Sequence, residues 1–553
     1  MLVNDKYPIW SAVCIVVLGA VFTYFVHGPS IGIDDANITQ NYAQNIADGL
    51  GYVYYDGGER VEGSTSLLWT IINVIFFSIF DFPEIFIAGF CLALTVVTVA
   101  ESLNLLRHLS DKFEVPFIIT SVLLSCFLIS YPSFFSWTIW ALMDTTLWVF
   151  TFTLIVCRFI IVILTQTQVP LSKSSIVLVC GGLLFLPFVR PEGIAISIGF
   201  TALFLIYAHV KNLVLLKTSL LGTLAIIGAL IASVTFWRLQ YFGYPVPNTF
   251  YAKVSLDIVS QIVAGVIYLV RYLLEPMVMT SVTLSLGFVA LAFTKGNLSK
   301  EYASWLAITL LSSIFGIFAL YVVLGGDHFG SARQFQVLTP LLSILAAVSL
   351  GNMIHYLYDK STMRDGGLSK KWYGPQILIG YLILMSLVAF APSTVKYAAK
   401  GGAIDHEFRI AENGREIGYL LNDLPGELSI GVIPAGGVAR AYDGPIYDLM
   451  GLNWVEMAHA NRLHNFSAAK NHAAFSSVVF FRHYPDIVLP RLGECRTVTD
   501  DGIRSSFSNL VLGGLLLDAR FKRVYVRACF KEATFYIKRD LLEALGSILG
   551  QPG

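Results

Sequence analysis

The chain has 553 residues, 56% of them hydrophobic and only 13% charged. Soluble domains carry roughly 25% charged residues, so most of this chain belongs against lipid or other apolar spans. Its 37 basic and 37 acidic residues cancel, which excludes the basic surplus of a nucleic-acid binder.

After MLVNDKYPIW, a first apolar span runs to Val26. No A-x-A-like cleavage site follows it, so it reads as a retained membrane span. A polar loop covers 27–65. With the first at 8–26, spans are expected at 66–80, 84–105, 116–131, 146–164, 175–189, 194–209, 216–236, 276–294, 302–324, 335–350 and 375–393. The expected total is 10 to 13 crossings. Several runs fall short of the ~20 residues a straight span needs, so some are broken or re-entrant pieces, which is tolerated where protein covers the backbone.

Lys and Arg crowd RHLSDKFE (107–114), HVKNLVLLK (209–217), KGNLSKE (295–301) and the loop 355–372. The positive-inside rule places these in the cytoplasm. The first loop, WALMDTTLW, RPEG, YFGYPVPNTFYAK, GGDHFGSAR and everything beyond about 394 then lie on the opposite side. Two full spans between 66 and 105 would break this parity. That region therefore crosses once with a re-entrant piece, or there is one more crossing. The stretch 256–276 is apolar but contains Arg271, and reads as an amphipathic helix on the outer surface.

The first 393 residues thus form a transmembrane domain. Residues 394–553 regain charge and carry short β-rich runs, LSIGVIP, DIVLP and a two-strand pattern in FKRVYVRACFKEATFYIKRD. They read as a soluble α/β domain outside the cytoplasm. Cys14, Cys91, Cys126, Cys157 and Cys180 sit in apolar runs as small hydrophobes. Cys495 and Cys529 are candidates for a disulfide, which sequence alone does not establish.

Polar residues in or beside spans are costly and therefore functional by default. Here they gather on one side: Asp34 and Asp35, Glu59 and Glu62, Asp144, Arg190 and Glu192, Asn248 and Lys253, and Asp327, His328 and Arg333. This agreement points to one polar cavity at the outer membrane face. One aspartate of the Asp34–Asp35 pair suits a general base for a sugar hydroxyl, and the cations suit a departing phosphate. A cavity beside lipid suits a phosphate carried on a polyprenyl chain. RPEG also reads as a span-ending turn with an internal Arg–Glu pair, and GGDHF as a tight turn. A divalent metal at Asp327 and His328 would have only those two ligands, so no metal site is assigned. No P-loop, G-x-G-x-x-G or zinc spacing stands out. The glycine pair of IPAGGVARAYDG reads as a strand-to-loop connection.

The stretch DDANITQNYAQNIADGLGYVYYDGGERVEGSTSLLW resembles the first outer loop of the GT-C membrane glycosyltransferases, nearest their terminal arabinofuranosyltransferase branch. RPEG, YFGYPVPNTFYAK, GGDHFGSARQF and YDLMGLN match further motifs in the same order. The resemblance implies an α-helical polytopic membrane protein of the GT-C fold with a C-terminal α/β domain, set in a bacterial plasma membrane with its active site facing outward. It implies inverting transfer of D-arabinofuranose from a polyprenyl phosphate to a cell-envelope glycan or a surface protein such as pilin. Asp34 matches the family's catalytic base, and Asp35 supports it or binds the acceptor. Glu59, Glu62, Arg190, Glu192, Asn248, Lys253, Asp327, His328 and Arg333 match other motif positions, and with Asp144 they are expected to bind substrate. Asn41 departs from the pattern's Arg, and Asp144 from its Glu. The alternative is a transporter or flippase of lipid-linked sugars, which predicts inverted repeats; none is visible. A third reading is a carbohydrate-binding membrane protein without catalysis.

Overall fold

The structure is a computed structural model. It describes residues 7–27, 30–165, 172–254, 257–294, 298–364, 404–460, 474–491, 500–530 and 533–542, with five further positions between 395 and 402. The expected span at 375–393 and a Cys495–Cys529 pair fall outside the described residues.

The chain begins with α1 (Tyr7–His27), then the polar helix α2 (Asp34–Ala47), α3 (Leu67–Ile79) and α4 (Pro83–Lys112). Next come α5 (Phe117–Ile129), the short α6 (Pro132–Phe135) running into a π-helical turn at Ser136–Trp140, α7 (Thr145–Thr165), α8 (Lys173–Val189), α9 (Gly193–Val210) and α10 (Val214–Tyr241). The short α11 (Asn248–Lys253), α12 (Ile258–Leu273), α13 (Pro276–Thr294), α14 (Lys300–Val323) and α15 (Thr339–Arg364) complete the helical body. Eight helices among the described residues are long and apolar enough to cross a membrane, or nine if α5 and the segment Pro132–Trp140, bent by 74°, form one broken span. Burial sorts them. The apolar windows of α7 and of the span containing α15 are 89% buried, against 17% for α10, so α7 and α15 are central and α10 is peripheral.

Two sequence expectations change. RHLSDKFE is not a loop from its first residue: α4 is 30 residues long and carries Arg107 through Lys112. With 13 residues, α3 reaches only about 20 Å at 1.5 Å per residue, too short to cross ~30 Å of hydrocarbon. One long helix beside one short one is the single-crossing option for this region. The amphipathic α12 turns Gln261, Gly265, Tyr268 and Tyr272 inward. It leaves Ile258, Val259, Val263 and Val266 exposed, the polarity of a helix whose outer face meets lipid.

The C-terminal part opens with α16 (Asp405–Asn422), followed by β1 (Ile430–Val432), the single-turn α17 (Gly436–Ala439), β2 (Ile446–Asp448), β3 (Ile487–Arg491), β4 (Tyr525–Phe530) and β5 (Ala533–Lys538). The sheet order is β2-β1-β3-β5-β4. β1 lies parallel to β2 and β3, while β5 is antiparallel to β3 and β4. The strands fall where LSIGVIP, DIVLP and the last alternating segment placed them. The first loop packs directly on this domain: Tyr42, Tyr52, Tyr54 and Val61 share a buried cluster with Ile430, Val432 and Val438.

Candidate functional site

The Asp34–Asp35 pair opens α2, where two carboxylates favour the positive end of the helix dipole. Gly32, at φ +79°, makes the turn out of the first span, and its N–H donates to the Trp140 carbonyl at 2.9 Å. The two aspartates then part company. Asp34 is buried, and its two oxygens accept the backbone N–H groups of Gly436 and Gly437 at 3.0 and 2.7 Å. Burial pushes its carboxyl up to about 6, against the lowering pull of the Gly437 and Gly436 amides. Asp35 is half-buried and faces open space.

Three cavities bound the site. One of 460 Å³ lies between α2 and the C-terminal domain and is lined by Asp34, Asp35, His328, Glu407 and Arg491 among others. A polar pocket of 40 Å³ is lined by Asp35, Ser64, Thr65, Asp144, Arg190 and Arg333. The third, of 450 Å³, is lined mainly by apolar side chains such as Phe188, Ile231, Val234 and Val246, with Glu192 and Arg238 at its edge. Lys253, the last residue of α11, lines all three.

The other cations of the polar pocket are held by carboxylates. Arg190 reaches Asp144 at 3.2 Å and Glu192 at 2.7 Å. Its own RPEG turn supplies the second of these partners. Arg333 reaches Asp327 at 2.7 Å and sits over the Phe329 ring at 4.5 Å. Burial penalises the Asp327 charge, but Arg333, His328 and the more distant Lys253 outweigh it and hold the carboxyl well below the usual range. Among the described residues, no hydrogen bond or ion pair engages the Lys253 ammonium.

The structure therefore gathers Asp34, Asp35, Asp144, Arg190, Glu192, Lys253, His328 and Arg333 around connected space, with Asp327 behind Arg333. It places Glu59, Glu62 and Asn248 outside the three cavities, in contacts that tie other parts of the chain together. Glu59 accepts the Val455 N–H at 2.7 Å. Glu62 forms a two-pronged pair with Arg238, both contacts at 2.7 Å. Asn248 donates to the Gly451 and Leu452 carbonyls at 2.8 and 3.0 Å. Asn41, where the pattern has Arg, donates to the Tyr54 carbonyl at 2.5 Å. Among the described residues, no group of three or more His, Cys, Asp or Glu side chains is placed to hold a metal.

Two contributors were missed in the sequence. The Gly436–Gly437 pair, read as a connection, cradles Asp34. Glu407 of α16 lines the largest cavity, and burial together with the Asp35 and Asp34 carboxylates raises its carboxyl to about 8. The glycine pair was a visible signal without an assigned partner. Glu407 gave none, since HEFRIAENGRE has the charge pattern of a solvated helix face.

This architecture is the GT-C fold, on a multi-pass membrane protein with a C-terminal α/β domain. The chain is similar to ArnT from Cupriavidus metallidurans bound to undecaprenyl phosphate, with a TM-score of 0.52 and 11% identity over 83% of this chain and 90% of that one. It is also similar to the archaeal oligosaccharyltransferase AglB from Archaeoglobus fulgidus. In complex with an inhibitory peptide and a dolichol-phosphate, AglB gives a TM-score of 0.52 at 11% identity, over 97% of this chain and 75% of that one. Its apo form gives 0.56 with the same identity and coverage. No protein-family profile and no curated protein sequence matches the chain.

Proposed function

We propose that the protein is a polyprenyl-phosphate-dependent glycosyltransferase acting at the extracytoplasmic face of a bacterial plasma membrane. The observation that carries this reading is the position of Lys253. Its ammonium, which has no hydrogen bond or ion pair among the described residues, stands where an apolar cavity meets a polar pocket and a larger opening toward the C-terminal domain. A lipid-linked sugar phosphate has the matching three parts: a prenyl chain for the apolar cavity, a phosphate for Lys253 and the Thr65 hydroxyl, and a sugar facing the acceptor. The undecaprenyl phosphate and dolichol-phosphate held by the structural neighbours are ligands of this class.

The reaction is a single inverting displacement. An acceptor hydroxyl oxygen forms the new bond to the anomeric carbon while the bond from that carbon to the phosphate oxygen breaks. The electron pair leaves with the polyprenyl phosphate, and the hydroxyl proton passes to a carboxylate of the Asp34–Asp35 pair. Lys253 stabilises the charge gathering on the leaving phosphate. Arg190 and Arg333, fixed by their carboxylates, add oriented N–H groups at the wall of the polar pocket. The donor sugar is D-arabinofuranose in this reading, and the acceptor a cell-envelope glycan or a surface protein such as pilin.

The test is incubation of the purified protein with a panel of polyprenyl-phosphate pentoses and hexoses and candidate acceptors, read by mass spectrometry. The reading expects one pentose mass added to an acceptor and free polyprenyl phosphate released in equal amount. Transfer of a hexose would replace the sugar and keep the enzyme class. Movement of lipid-linked sugar across proteoliposomes with no product would replace the class.

A further inference from the structure

The two adjacent aspartates face different things, and the difference assigns them different work. Both oxygens of Asp34 are occupied by N–H donors from the C-terminal domain, at 3.0 Å from Gly436 and 2.7 Å from Gly437. The fit tolerates no side chain on that domain. A Cβ on Gly436 would stand 1.7 Å from the Asp34 carbonyl oxygen, and one on Gly437 2.3 Å from the Ala411 carbonyl oxygen of α16. The one turn of α17 is thus wedged between α2 and α16, with glycine at both contact points. Neighbouring bonds hold the same seam: the Tyr54 hydroxyl donates to the Ala435 carbonyl at 2.5 Å, and Arg415 to Asn37 at 2.8 Å. Asp34 lines the 460 Å³ cavity and not the polar pocket, whereas Asp35 lines both that cavity and the polar pocket containing Lys253, Arg190 and Arg333. A proton taken by Asp34 would remove the charge that strengthens two backbone hydrogen bonds. A proton taken by Asp35 breaks no such contact.

We infer that Asp34 is a positioning residue, latched by the Gly436 and Gly437 amides, and that Asp35 is the carboxylate that accepts the acceptor hydroxyl proton. The proton assignment rests on the transferase reading above; the latch stands on the contacts alone. The C-terminal domain therefore completes the active site by fixing the first turn of α2, and with it the direction in which Asp35 points.

The experiment uses the full chain in detergent micelles and measures two things. Hydrogen exchange at Gly436 and Gly437 reads the latch. Asp34→Asn and Gly436→Ala each accelerate it by about tenfold or more, the factor for about 1.4 kcal/mol of lost protection, while Asp35→Asn leaves it at the wild-type rate. Unchanged exchange in both latch variants, or in Gly436→Ala where Asp34→Asn does not fold, overturns the latch. Transfer kinetics read the base, using the polyprenyl-phosphate sugar active with wild type. Asp35→Asn lowers kcat by about 10²–10⁴-fold, the range for a lost general base. Asp34→Asn lowers it by about tenfold alone and by less than about twofold in the Asp35→Asn background, because it acts through Asp35. A purely structural role would lower both backgrounds equally. Near-wild-type turnover in Asp35→Asn, or an Asp34→Asn loss as large as that of Asp35→Asn, overturns the assignment. If wild type transfers no sugar, the transferase reading fails and takes the base assignment with it, while the exchange rates still decide the latch.

Discussion

Lys253 is distinguished from Arg190 and Arg333 by what does not hold it. The arginines have carboxylates at 2.7–3.2 Å; among the described residues the lysine has no carboxylate at ion-pair distance, only the longer-range pull of Asp327, and its ammonium is left to meet an incoming anion. Lys253→Ala should weaken binding of undecaprenyl phosphate by about 10–100-fold, the range for a charged hydrogen bond worth about 1.5–3 kcal/mol, with little change in thermal stability. Titration of the lipid phosphate against the detergent-solubilised variant checks this. Arg190→Ala should behave oppositely, leaving Asp144 and Glu192 buried without their cation and destabilising the fold by about 3–5 kcal/mol, visible as a lower unfolding temperature. Glu407 supplies a pH signature. Its carboxyl rises from 4.5 to about 8 in the folded protein, so between those values the folded state holds a proton that the unfolded state has released. This contribution to stability is complete below about pH 4.5 and is lost as pH rises through about 8. Unfolding temperatures of wild type and Glu407→Gln, measured from pH 5 to pH 9, should therefore lie together near pH 5, where the protonated carboxyl and its neutral Gln replacement match, and separate toward pH 9 with wild type the lower, because only wild type loses this term. At this scale the sequence exposed residues that are costly in their setting, such as Lys253 beside a span. It hid Glu407, whose cost arises only when α16 folds over the Asp34–Asp35 pair.

Among the helices, α12 was the most legible, because apolar residues with Arg271 on one stretch state both its period and its depth. Its seat was not legible, because that depends on a partner over 50 residues away. Gln261 donates to the Val323 carbonyl at 2.8 Å. A Cβ on Gly265 would stand 2.2 Å from the Val322 carbonyl oxygen, against backbone that cannot swing aside. Gly265→Ala should therefore lift α12 from the end of α14, at a cost of about 1–3 kcal/mol for overpacking. Cleavage by a soluble protease within the first turn of α12, from Ile258, should become faster. The boundary of α4 was misread for a related reason: a positively charged run looks like a loop, yet Arg107 and Lys112 fit the polar end of a long helix. The short α3 shows that hydropathy locates apolar segments without telling which of them cross.

At the scale of the molecule, the motifs from Asp34 to Asn453 owe their shared order to one seam between the membrane body and the α/β domain. Gly63 passes so close to that seam that a Cβ there would stand 1.9 Å from the Asn453 side-chain oxygen. The Tyr42 hydroxyl donates to the same oxygen at 3.0 Å. Asn453 in turn is held by Asp448, whose carboxylate accepts both its N–H at 2.9 Å and its side-chain amide at 2.8 Å. None of this pairing was visible in the sequence, which showed polar residues beside spans but not that Asn248 and Glu59 face the other domain across 203 and 396 positions, or that Glu62 pairs within the membrane body with Arg238, 176 positions on. A seam built this way should make the two halves unfold together. Asn248 is the place to test it, because its two donated bonds reach the Gly451 and Leu452 carbonyls and it lines none of the three cavities. Asn248→Ala leaves two carbonyls short of a donor and should cost about 1–3 kcal/mol. If the seam couples the halves, thermal unfolding followed by protease cleavage within α16 and by cysteine labelling at the buried Cys157 of α7 should shift downward by the same number of degrees. If the α/β domain were merely tethered, the α16 signal alone would fall, and Cys157 would keep its wild-type transition.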